Sequence, residues 1–280
     1  MQESNGHSRL SACFAELKAR QRKGLIPYLM AGDPSIQDTV PLMHAMIRAG
    51  ADVIELGIPF SDPVADGPVI EQAHQRAVAQ GVTLDHVFDM VAQFRQTDRV
   101  TPVVLMGYLN PLEVLGYDSF AARAEVAGVD GVLIVDAPPE RCRELPTALR
   151  AHAIAPIFLL APTTTDQRIA RLCAEASGYL YYISLRGVTG AGHLDIDDVR
   201  QNLARIRAHT VLPLGVGFGV CDSRSAATLA ELADAVIVGT VLVRELHAHN
   251  SLEAGQAAML ALLGQMREAM DQSSSSTDAR

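Results

Sequence analysis

The sequence predicts an α/β fold: a single (β/α)8 barrel of the TIM type, with an additional helix ahead of the first strand. Three observations predict it. Short, continuously apolar runs recur eight times, amphipathic stretches lie between them, and no linker or shift in composition divides the 280 residues. With 49% hydrophobic and 20% charged residues, the chain can bury one large core.

The elements follow in order. The opening "MQESNGHSRLSACFAELKARQRKG" is polar and then amphipathic, so it reads as the extra helix; it has no uninterrupted apolar stretch of the kind a leader carries. The runs are "LIPYLM" (25–30), "DVIEL" (52–56), "PVVLM" (102–106), "GVLIV" (131–135), "PIFLL" (156–160), "YLYYI" (179–183), "LPLGV" (212–216) and "DAVIV" (234–238). Apolar residues without alternation suit parallel strands covered on both faces. Between them, "SIQDTVPLMHAMIRAGA", "TLDHVFDMVAQFRQ", "DSFAARAEVAGV" and "DDVRQNLARIRAH" space their apolar residues for helices, with Ser, Thr or Asp in front and often Gly behind. A doubly wound sheet is the alternative, but it normally has fewer strands at this length. The barrel is expected to occupy residues 1–270, and the serine-rich tail 271–280 to be disordered.

Composition narrows the function. A net charge of −9 without a basic cluster argues against nucleic acid and anionic membranes. No apolar run reaches the roughly 18–20 residues that cross a bilayer, so the cytoplasm is expected. Cys13, Cys142, Cys173 and Cys221 are far apart and suggest neither a zinc site nor a disulfide framework. Lys18 and Lys23 are the only lysines, and both precede the barrel, which argues against a Schiff base. Of the nine histidines only His193 falls in a strand-to-helix loop, so no metal site is expected.

Barrels of this kind place chemistry at the C-terminal ends of their strands. There "ELGIPFSDPVADGPVI" (55–70) sets Glu55 inside the second run, with Asp62 and Asp66 in the loop behind it. A carboxylate at the barrel mouth is partly desolvated, which raises its pKa toward neutral and suits it to proton transfer. An ion pair with arginine is the structural alternative for Glu55. Turn and cap chemistry explains Asp62 as well as any function does, and Asp66 nearly as well. Glycines gather in "GVTGAG" (187–192), "GVGFG" (215–219) and "VGTVLV" (238–243). Glycine loops and helix N-termini after the last strands bind phosphate in this fold, so a phosphorylated ligand is expected.

The stretches "IPYLMAGDPS" (26–35), "ELGIPFSDPVADGPVIEQAHQRA" (55–77), "LMGYLNPL" (105–112), "SLRGVTG" (184–190) and "GVGFGV" (215–220) resemble the tryptophan synthase α chain in order and spacing. The likeness runs from about Arg9 to Met270, and the "PFSDPxADGP" string is highly specific. The resemblance implies retro-aldol cleavage of indole-3-glycerol phosphate to indole and glyceraldehyde 3-phosphate. It places the catalytic carboxylates on Glu55, as acid and base, and on Asp66, which would accept the indole N–H. Tyr181, Tyr28, Leu105 and Leu133 would surround the indole, and Thr189 would close over the site. Gly190, Gly219, Gly239 and Thr240 would hold the phosphate. The partner implied is a β chain, in an α2β2 complex, facing Asp62, Pro63, Asn110 and Pro111. No cofactor is expected on this chain, since pyridoxal phosphate would belong to the partner. A stand-alone lyase, a sugar-phosphate isomerase and a non-catalytic activating subunit are the alternatives. The isomerase is disfavoured because run five ends in "LLAPTTT" without an acid.

Overall fold

The computed structural model describes residues 8–140, 142–184, 195–217 and 219–276, with side chains to residue 273. Eight parallel strands close into one barrel in sequence order: β1 (Gly24–Met30), β2 (Ile54–Gly57), β3 (Val103–Gly107), β4 (Gly131–Ile134), β5 (Ala155–Leu160), β6 (Leu180–Ile183), β7 (Leu214–Gly217) and β8 (Ala235–Val238). β8 pairs with β1 and completes the ring. Each strand lies within two residues of its apolar run.

The helices of the described residues are α1 (Arg9–Ala19), α2 (Ile36–Arg48), α3 (Pro68–Ala79), α4 (Leu84–Arg95), α5 (Leu109–Leu115), α6 (Tyr117–Ala127), α7 (Glu144–Ala151), α8 (Asp166–Glu175), α9 (Ile196–Arg207), α10 (Ser223–Ala230), α11 (Thr240–His247) and α12 (Leu252–Ser276). Ser35, Thr165, Asp195 and Asp222 cap α2, α8, α9 and α10, each accepting a backbone N–H from the first turn. No helix of the described residues is long and apolar enough to cross a membrane.

Two apolar layers divide the strands by parity. Leu25, Leu29, Ile54, Leu56, Leu105 and Val132 belong to the outer layer beneath the helices. Ile26, Val53, Val104, Leu133, Ile157, Tyr179 and Ile237 fill the barrel. The extra helix α1 stoppers the N-terminal end with Leu10, Phe14 and Leu17. Its anchor is Arg9, whose Nε donates to Asp130 at 2.7 Å, while Arg95 grips the other oxygen of that carboxylate at 2.7 Å. Leu10 fits closely: a Cβ at Gly131 or Gly178 would meet its Cδ1 at 3.1 or 3.2 Å. Leu10→Ala is therefore expected to destabilise the chain by about 2–5 kcal/mol, read as a lower denaturant midpoint, because the tight packing cannot collapse onto the void.

The expected boundary at residue 270 needs correction. α12 continues to Ser276, so residues 271–276 are helical rather than disordered. Asp271 explains part of this, since its carboxylate accepts from Arg22 Nε at 3.0 Å and from Arg267 on the preceding turn. Residues 277–280 lie outside the described residues.

Candidate active site

Glu55 is the second residue of β2 and points into the barrel, two positions beyond Val53 of the inner cluster. It is 1% exposed, and its Oε1 has no hydrogen-bond partner among the described residues. The structural alternative, a buried ion pair with arginine, does not occur among the described residues. Burial, and then the nearby Asp66 charge, push its pKa up from 4.5 to about 8. The Tyr179 hydroxyl opposes this weakly: it lies near enough to favour the charged form, though it completes no well-formed hydrogen bond. At neutral pH Glu55 is thus a protonated acid in an apolar barrel.

Asp66 settles differently from its cap reading. The N-cap of α3 is Gly67, with no side-chain cap bond. The Asp66 Oδ2 instead accepts from the Tyr108 hydroxyl at 2.8 Å and faces His74 Nε2 at 3.2 Å. Its backbone closes a turn, donating to Pro63 at 3.0 Å.

Two tyrosines complete the wall. Tyr28 pairs in register with Glu55 across β1 and β2. Burial, followed by the charges of Asp66 and Glu55, raises the Tyr28 pKa; burial, Glu55 and Asp66 do the same for Tyr181. Both phenols therefore stay protonated beside the carboxylates. The rings fit because β2 and β7 each end in glycine. A Cβ on Gly57 would overlap the Tyr28 hydroxyl, and one on Gly217 would overlap that of Tyr181. Gly217→Ala is expected to swing Tyr181 aside and raise KM roughly tenfold, about 1.4 kcal/mol of lost binding, with the fold retained.

Leu133 lies in the inner layer. Leu105 does not: it packs outward beneath the helices, and its neighbour Met106 faces the interior instead. Strand parity makes the two exclusive. Pro63 also corrects, because it is buried within this chain and cannot face a partner. Asp62 and Asn110 are exposed and Pro111 is half-buried. Thr189 and Gly190 lie outside the described residues.

Gly219 follows β7 with φ +78°, the left-handed region where glycine carries no Cβ penalty. Gly239 is the N-cap of α11 and Thr240 its first residue. The first N–H groups of that helix have no carbonyl within it to meet, so they form a positive end beside the barrel mouth.

A family model of the tryptophan synthase alpha chain matches residues 14–271. The chain belongs to that family. The tryptophan synthase alpha chain of Thioalkalivibrio sulfidiphilus is 57% identical over 265 residues, covering 94% of this chain and 100% of the relative. That of Nitrosococcus oceani is 54% identical over 265 residues, covering 94% and 98%. The crystal structure of tryptophan synthase subunit alpha from Legionella pneumophila superposes with a TM-score of 0.90 at 44% identity, covering 95% of this chain and 100% of that one.

Tryptophan synthase alpha chains are lyases that cleave indole-3-glycerol phosphate to indole and glyceraldehyde 3-phosphate, the indole passing to a β chain. Reading the sequence alone missed two residues at the centre of this site, His74 and Tyr108. Tyr108 is the first residue beyond β3, where barrel chemistry gathers, so its position was a usable signal. His74 was set aside with the helical histidines, because nothing local marks which face of α3 meets the loop.

Proposed function

We propose that this alpha chain performs the family's cleavage with Glu55 as the proton-transferring acid and base and Asp66 as the acceptor of the indole N–H. The observation that carries the reading is a buried carboxyl whose Oε1 has no partner among the described residues and whose pKa is raised to about 8, beside a second carboxylate whose Oδ2 accepts from Tyr108. Glu55 gives its proton to the ring carbon that bears the side chain. The positive charge that develops on the ring nitrogen is offset by ionised Asp66. The Glu55 carboxylate then takes the proton of the adjacent hydroxyl. The carbon–carbon bond breaks, its electrons return to the ring as indole, and the alcohol carbon leaves as the aldehyde. Glu55 finishes protonated, so the cycle consumes no water and no oxidant.

Tyr28, Tyr181 and Leu133 line the indole pocket in this reading, with Met106 in the place expected for Leu105. Gly219, Gly239 and Thr240 hold the phosphate, with Thr189 and Gly190 assigned by resemblance alone. Thr240→Asp tests the phosphate assignment. The carboxylate suits a helix N-terminus, so folding should persist, while repulsion of phosphate should raise KM by roughly tenfold or more.

The chain needs no cofactor of its own, works in the cytoplasm, and meets a pyridoxal-phosphate-dependent β chain in an α2β2 complex through the face around Asp62, Asn110 and Pro111. Indole release by the purified chain, with and without a tryptophan synthase β chain, tests this. Slow release that rises sharply with the β chain supports it. Fast release unchanged by the β chain would mean a stand-alone lyase, and none under either condition would remove the assignment of Glu55 and Asp66.

A further inference from the structure

Asp66 sits on a loop, and a loop does not by itself hold a carboxylate to the tolerance that chemistry needs. The groups around it do. His74 lies on α3 and is only 2% exposed. Its Nδ1 accepts the backbone N–H of Phe60 at 3.0 Å. A backbone amide can only donate, so Nδ1 carries the lone pair and the ring proton of the neutral imidazole sits on Nε2. That proton faces Asp66 Oδ2 at 3.2 Å.

Tyr108 repeats the logic. Its hydroxyl oxygen accepts the Ala65 N–H at 3.0 Å, which leaves its proton for Asp66 Oδ2 at 2.8 Å. The ring stacks on Phe60 with centroids 5.3 Å apart and stands edge-on to His74 at 6.0 Å. Phe60, Ala65 and Asp66 are thus tied to two side chains that also touch each other. α3 is itself fixed, because Arg76 grips buried Asp33 through two bonds of 2.8 Å. Among the described residues both bonds to Asp66 fall on Oδ2, so Oδ1 is the oxygen this clamp leaves to a ligand N–H.

We infer that His74 is a positioning residue: through the Nε2–H tautomer imposed by the Phe60 amide, it holds Asp66 in the orientation in which Oδ1 receives the N–H of an indole-type substrate. The inference rests on the catalytic reading of Asp66, so its test includes Asp66 itself.

The experiment measures kcat and KM for indole-3-glycerol phosphate cleavage by the full chain with saturating β chain. The variants are Asp66→Asn, His74→Leu, His74→Gln and the double variant His74→Leu/Asp66→Asn. A lost hydrogen bond to a charged group predicts that His74→Leu lowers kcat roughly tenfold to a hundredfold, with KM changed by less than about threefold. His74→Gln, whose amide can donate from near the Nε2 position, should recover most of the loss. In the Asp66→Asn background His74→Leu should cost nothing further, because the group it positions is gone.

Wild-type kcat in His74→Leu, or the same fold loss in both backgrounds, would overturn the inference and leave Asp66 catalytic. A harmless Asp66→Asn would remove the catalytic reading and the inference together. Should His74→Leu fail to fold, histidine ¹⁵N chemical shifts of the wild-type chain decide. A neutral Nε2–H tautomer at His74 supports the clamp, and an Nδ1–H tautomer overturns it.

Discussion

Glu55→Gln is expected to lower kcat by about 10²–10⁴-fold, the range of general acid–base catalysis, and to make the chain more stable at alkaline pH. Both effects have one source. Glutamine keeps the shape and polarity of a protonated glutamic acid but has no proton to give. The folded-state pKa of about 8 lies above the ordinary 4.5, so between those values the folded chain holds a proton that the unfolded chain has lost. The stability that proton contributes is complete below pH 4.5 and disappears as pH rises through about 8. The Gln variant has no such titration. Wild type and variant should therefore melt together below about pH 4.5 and separate progressively as pH rises to about 8, the variant higher. A dead enzyme with improved alkaline stability distinguishes a catalytic carboxyl from a packing residue, whose loss would lower both quantities.

Asp66→Asn is expected to cost roughly 10²-fold in kcat, since it replaces an ionised acceptor with a neutral amide where charge develops. It should also act at a distance. The Asp66 charge is the second cause of the raised Glu55 pKa, after burial. Removing it should move the alkaline limb of the residual kcat profile to lower pH, though not to the ordinary glutamate value, because burial remains. A profile that falls in amplitude without shifting would mean that the two carboxylates do not interact. That would contradict the geometry in which Tyr28 and Tyr181 feel both charges.

Much of the fold was legible because parallel strands covered on both faces leave uninterrupted apolar runs, and all eight fall on strands. The same property hid their phase. A strand that is apolar at every position does not show which residues face inward, and so Leu105 was placed in the pocket where Met106 stands. Glu55 escaped this ambiguity, as the one charged side chain within its strand. Pro63 and the tail misled because proline and serine are read by composition, whereas one is buried by the turn that Asp66 closes and the other continues a helix held by Arg22 and Arg267. His74, Tyr108 and the tyrosine-accommodating Gly57 and Gly217 involve contacts between separate elements, which no local pattern displays. The resemblance pointed to the carboxylate pair Glu55 and Asp66; only the folded chain shows what surrounds it.

Infrared difference spectroscopy of the Glu55 carboxyl reports whether that group holds its proton at neutral pH. Wild type minus Glu55→Gln at pH 7 should show the carbonyl band of a protonated carboxylic acid, fading as pH rises through about 8. A carboxylate band at pH 7, with titration near the ordinary glutamate value, would mean that Glu55 is ionised there and has no proton to give.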